Sequence, residues 1–167
     1  MKFKGYLVRE NEGNFNGSLE DIDIPKLEQG RVLIKVHYSS LNYKDALAAS
    51  GAKGVASFYP FVPGIDVAGE IIETSTPDFS VGDNVIATGY KIGMSEFGGF
   101  GKIVHLPSKW VIKMPSELDH IKCMSYGTAG ITAAACIKKI VDGDCSKKLP
   151  VLAVSYTHLR AHETYKD

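Results

Sequence analysis

Apolar and polar residues alternate most clearly over Arg31–Tyr38 (RVLIKVHY). There Val32, Ile34 and Val36 fall on one side, and Leu33, Lys35 and His37 on the other. A period of two with β-branched residues on one face predicts a strand. Shorter runs of the same kind predict strands at Gly5–Arg9, Leu19–Ile24, Ile65–Thr74, Asn84–Thr88, Gly98–Leu106 and Trp110–Lys113. Turns at Pro63-Gly64 and Ser80–Asp83 separate them. The one interruption is Asn42–Ser50 (NYKDALAAS), which reads as a short helix with Asn42 at its N-cap and Gly51 as its stop. The stretch up to Pro115 is therefore expected to be a β-rich unit of the partly open barrel kind.

The pattern changes at Ser116. Ser116 and Asp119 stand in the S-x-x-D relation of a helix start. Helical segments are expected across Leu118–Tyr126 and Ile131–Val141, with Gly127 and Gly130 interrupting between them. Pro150–Val154 (PVLAV) then reads as the first buried strand of an α/β domain. The predicted fold is mainly β with α: a partly open barrel, followed by helices and the first strand of a Rossmann-like domain.

Composition narrows the function classes. Nineteen Lys and Arg balance nineteen Asp and Glu, so charge gives no reason to expect a nucleic-acid or membrane partner. The cysteines, Cys123, Cys136 and Cys145, are odd in number and lack C-x-x-C spacing, as expected of reduced thiols rather than a disulfide framework or a zinc site. The N-terminus, MKFKGYLVREN, has no signal-like apolar run, and no segment has transmembrane length. The expected location is the cytoplasm.

Candidate chemistry lies where the predicted strand meets the short helix. Asn42, Tyr43 and Asp45 bring an amide, a phenol and a carboxylate together, groups able to orient a substrate or donate to a carbonyl oxygen. A helix cap and a first-turn acid explain Asn42 and Asp45 equally well. Asp66, between apolar neighbours in PGIDVAG, is a partly buried carboxylate that is either functional or paired with a backbone amide or an arginine. In GTAG, Gly127–Gly130, the glycines are expected to let two elements pack closely, with Thr128 bonding locally. His37, His105 and His120 show no metal-binding spacing. Gly98-Gly99, between Phe97 and Phe100, reads as a mobile turn.

Five stretches occur in one order: SSLNYKDALAASG, FYPFVPGIDVAG, DFSVGDNVIATG, FGGFGKIVHLPSKWVIKMP and YGTAGITAA. From Met1 to about Leu152 the chain resembles the N-terminal half of medium-chain dehydrogenase/reductases. Within them it looks most like the zinc-free, quinone oxidoreductase-like branch of the YhdH/YhfP type, which includes acryloyl-CoA reductases. The resemblance implies a GroES-like catalytic domain over 1–115 and helices with the start of an NADPH-binding Rossmann domain over 116–153. In the zinc enzymes of the superfamily a cysteine stands where Asn42-Tyr43 stand here and a histidine where Ile65 stands. The resemblance therefore implies no zinc. It also implies NADPH-dependent reduction of the carbon–carbon double bond of an α,β-unsaturated carbonyl compound or quinone. Asn42 and Asp45 would then be catalytic, Tyr43 and Thr128 cofactor-binding and Asp66 substrate-binding. The partner is a small-molecule substrate, and the parent enzyme is expected to be a homodimer.

After Val154 the family pattern stops. A glycine-rich pyrophosphate turn is expected there, but the chain reads SYTHLRAHETYKD. Residues 154–167 resemble a translated sequencing adapter, so the expectation is a non-native tail on a truncated and, by itself, inactive reductase fragment. The other reading is a stand-alone GroES-like binding module without a cofactor domain.

Overall fold

A computed structural model describes residues 1–143. The expectations for Pro150–Val154 and for 154–167 lie outside the described residues. Residues Met1–Ala133 form one compact unit, and a second begins at Ala134.

The first unit opens with a hairpin of β1 (Lys2–Asn11) and β2 (Asn14–Asp23), paired antiparallel from Lys2↔Asp23 to Asn11↔Asn14. Its two-residue turn is Glu12-Gly13, both at positive φ (52° and 81°). That geometry matches the twist of paired strands. Five further strands form one antiparallel sheet: β3 (Arg31–Tyr38), β4 (Asp66–Thr74), β5 (Asn84–Thr88), β6 (Ile103–Pro107) and β7 (Ile112–Lys113), in the order β6-β3-β4-β5-β7. Helix α1 (Tyr43–Ala49) lies between β3 and β4 in sequence, and α2 (His120–Asp142) follows the sheet.

The core gathers Val32, Ile34 and Val36 of β3 with Val67 and Ile71 of β4, Val85 and Ala87 of β5, and Val104 and Leu106 of β6. Burying side chains of this size contributes about 1.5–3 kcal/mol each. Leu33, expected on the outer face, is also buried; β4 carries one extra residue, Ile72, opposite the Leu33–Ile34 step. Such a bulge re-aims one side chain without ending the strand.

Three further expectations change. The strand placed at Gly98–Leu106 begins only at Ile103. Gly98 and Gly99 are not a mobile turn: both are buried, and their N–H groups donate to Val62 O (2.7 Å) and Gly64 O (2.8 Å). Gly64 itself has φ 107°, and a Cβ there would lie 2.8 Å from Gly99 N. Only glycine permits this backbone-on-backbone approach. Trp110 belongs to a 3-10 turn, Ser108–Trp110, and stacks on Tyr90 at 5.2 Å.

α2 starts later than the Ser116 signal suggests. Asp119 is the working cap, accepting from Lys122 N–H at 2.7 Å. The break expected at Gly127 is present (φ 50°, ψ −157°), whereas Gly130 is helical. The compact unit runs beyond 115 because Cys123 and Met124 pack against Ala68 of β4. Among the described residues no helix is long and apolar enough to cross a membrane.

Candidate functional site

β3 ends at Tyr38, and Ser39 to Asn42 carry the chain into α1. Asn42 takes the extended conformation of an N-cap (φ −118°, ψ 155°). Asp45, three residues on, reaches back so that Asn42 N–H donates to its Oδ2 at 2.8 Å. This is the carboxylate half of a capping box. The other oxygen of Asp45 accepts from Gly64 N–H (3.1 Å) and Ile65 N–H (2.9 Å). Asp45 thus ties the start of α1 to the turn that leads into β4. Burial pushes its carboxyl above the usual carboxylate range, against the pull of the Asn42, Ile65 and Gly64 amides. Asp45 is only 1% exposed. Its carboxylate faces backbone donors and not open space, whereas the resemblance implied a catalytic role for it.

Asp66 opens β4 and is fully buried. Its Oδ2 accepts from Ser40 Oγ (2.8 Å), Asn42 Nδ2 (2.8 Å) and Thr128 N–H (3.0 Å), and its Oδ1 accepts from Thr128 Oγ1 (2.6 Å). A carboxylate offers about four lone-pair sites. Here four donors occupy them, and Ser39 Oγ also donates to the Asp66 carbonyl at 2.6 Å. The expectation that Asp66 binds substrate does not fit this geometry, since both oxygens are taken by the protein. Asp66 joins the end of β3, the cap of α1 and the break in α2.

The break in α2 makes this possible. Gly127 lies in a region of φ and ψ open only to glycine. A Cβ there would sit 2.7 Å from Asp66 Oδ2 and against Ser40 Oγ. The turn at Gly127 frees Thr128 N–H from any partner within the helix and points it at the carboxylate. A first-turn amide and the positive end of the following helical segment both favour an anion there.

Of the expected site residues, Asn42 and Thr128 meet on Asp66, both partly exposed. Tyr43 follows Asn42 in sequence and is exposed, at 66%. Ser40 and Gly127 complete the cluster. Ser40 went unrecognised in the sequence; its only signal is the polar pair Ser39-Ser40 between an apolar strand and a helix cap. His37 and His120 have ring centres 4.8 Å apart, tilted at 57°, yet among the described residues no three His, Cys, Asp or Glu side chains gather as a metal site.

The chain has relatives among known proteins. The chain is 38% identical over 136 residues to the probable acrylyl-CoA reductase AcuI of Escherichia coli, covering 81% of this chain and 42% of that protein. It superposes on E. coli YhdH with bound NADPH with a TM-score of 0.77 at 37% identity, over 83% of this chain and 43% of that one. On Bacillus subtilis YhfP with NAD bound the TM-score is 0.82 at 34% identity, over 89% and 45% of the two chains. The chain spans about two fifths of the length of the curated relative it matches. Residues 28–116 match the alcohol dehydrogenase GroES-like domain, more than half of the sequence, and the chain belongs to that family.

Proposed function

We propose that this chain is the catalytic-domain part of an NADPH-dependent reductase acting on the carbon–carbon double bond of an α,β-unsaturated carbonyl compound, an acryloyl thioester, enone or quinone. The observation that carries the reading is the meeting of Asn42 and Thr128 on the buried Asp66 carboxylate, in a chain of this family. A fixed amide and a fixed hydroxyl, both partly exposed, suit the nicotinamide end of a dinucleotide and the carbonyl of a substrate beside it. The names of the relatives point the same way: one is a probable acrylyl-CoA reductase, and the solved structures hold NADPH and NAD.

When bound, the dinucleotide supplies the hydride; the protein supplies orientation and hydrogen bonds. Asn42 donates one Nδ2 hydrogen to Asp66 and keeps the other for a carbonyl oxygen that gains charge during the reaction. Tyr43, exposed on the first turn of α1, would pack against the nicotinamide end. Asp45 acts from behind, holding the cap of α1 through three backbone amides. A zinc-dependent chemistry would need a ligand at position 65, and isoleucine has no ligating atom.

The test is steady-state kinetics of the complete protein with NADPH and, in turn, acryloyl-CoA, a small enone and a quinone. Asn42→Ala is expected to lower turnover by about a hundredfold with little change in NADPH affinity. Normal turnover in that variant, or no turnover of any of the three substrates by the unmodified protein, would contradict the reading.

A further inference from the structure

Asp66 does more than hold Thr128 in place: its charge dictates which way the hydroxyl points. An ionised carboxylate accepts and cannot donate. At 2.6 Å from Asp66 Oδ1, the single proton of Thr128 Oγ1 must lie between the two oxygens. Among the described residues no group donates to Thr128 Oγ1, so its remaining lone pairs are the part left to face a ligand. Asn42 is fixed in the same way. Turning its amide over would set Oδ1 against Asp66 Oδ2, two acceptors at 2.8 Å, so Nδ2 must face the carboxylate.

We infer that Asp66 is a positioning residue that makes Thr128 an obligate hydrogen-bond acceptor, so that the site selects a ligand presenting an N–H donor there, the carboxamide of a nicotinamide ring. This rests on the nicotinamide-binding reading above. A threonine free of Asp66 could rotate to donate or accept and would discriminate little. Asp66→Asn tests the orientation with minimal change of shape. Its Oδ1 can take the place of the present Oδ2 and keep the three donors Ser40, Asn42 and Thr128 N–H. Its Nδ2 then donates to Thr128 Oγ1, and the hydroxyl proton is released toward the ligand.

The experiment compares, on the complete protein, the affinity for NADPH with that for the reduced 3-acetylpyridine analogue. The analogue keeps the carbonyl and replaces the amide NH2 by methyl. The unmodified protein is expected to prefer NADPH by about tenfold, a hydrogen bond's worth. Asp66→Asn is expected to abolish or reverse that preference, and Thr128→Val to abolish it while weakening NADPH binding. A second arm needs no ligand: NMR of the unliganded protein should show a slowly exchanging Thr128 hydroxyl proton that is lost in Asp66→Asn. Equal affinities in the unmodified protein, or a preference that survives in Asp66→Asn, would overturn the inference while leaving nicotinamide binding intact. If NADPH fails to bind at all, the functional reading falls, and a freely exchanging Thr128 hydroxyl would overturn the role of Asp66 as well.

Discussion

Two buried carboxylates stand among the described residues, and their neighbours are of different kinds. Asp45 accepts from three backbone N–H groups, those of Asn42, Gly64 and Ile65. Asp66 accepts from three side chains, Ser40, Asn42 and Thr128, and from one backbone N–H. Backbone donors fix where segments run. Side-chain donors fix how groups that can meet a ligand are turned. Asp45 therefore fixes backbone segments, the frame, and Asp66 gathers side chains that can meet a ligand, whereas the resemblance implied a catalytic Asp45 and a substrate-binding Asp66. Asn42 connects them, giving its N–H to one and its Nδ2 to the other.

Variants can break this comparison at either end. The largest effect is expected from Gly127→Ala. It forces a side chain into a conformation reserved for glycine and pushes a methyl group against Asp66 and Ser40. The combined backbone strain and loss of partners around a buried charge should cost about 4 kcal/mol in denaturant unfolding. Asp45→Ala should come next, at about 3 kcal/mol. It leaves the Gly64 and Ile65 amides without partners in the buried segment 61–69, and removing the buried charge offsets only part of that. Asp66→Asn should be mildest, about 1 kcal/mol, because Thr128 Oγ1 can turn from donor to acceptor. An order with Asp66→Asn above Asp45→Ala would mean that Asp66 is frame as well.

Much of the frame was legible because burial on one face writes a period of two. β5 was read to the residue at Asn84–Thr88, and β4 within one residue. The hairpin was harder. β2 has no buried residue along Asn14–Asp23, so no apolar face marks it, and only its second half was recognised as strand. Gly98-Gly99 was misread for a different reason. A glycine pair signals either a loose turn or a tight backbone contact, and only the Pro63–Gly64 backbone beside it decides. The site was legible as residue types but not as a constellation. Asn42, Asp66 and Thr128 stand out singly, yet 24 and 62 residues separate Asp66 from the other two, and no local pattern encodes that meeting. Gly127 carried the clearest hint, since a glycine flanked by helical pattern needs a reason.

The most direct test of the central claim, that Asp66 holds the break in α2 and so aims Thr128, is amide hydrogen exchange at Thr128. Its N–H opens a helical segment and has no partner within the helix, so any protection must come from outside it. The structure gives that partner as Asp66 Oδ2 at 3.0 Å. Thr128 N–H is expected to exchange slowly in the unmodified chain, to exchange at the rate of an open amide in Asp66→Ala, and to stay protected in Asp45→Asn. Rapid exchange in the unmodified chain, or protection that persists in Asp66→Ala, would contradict the account.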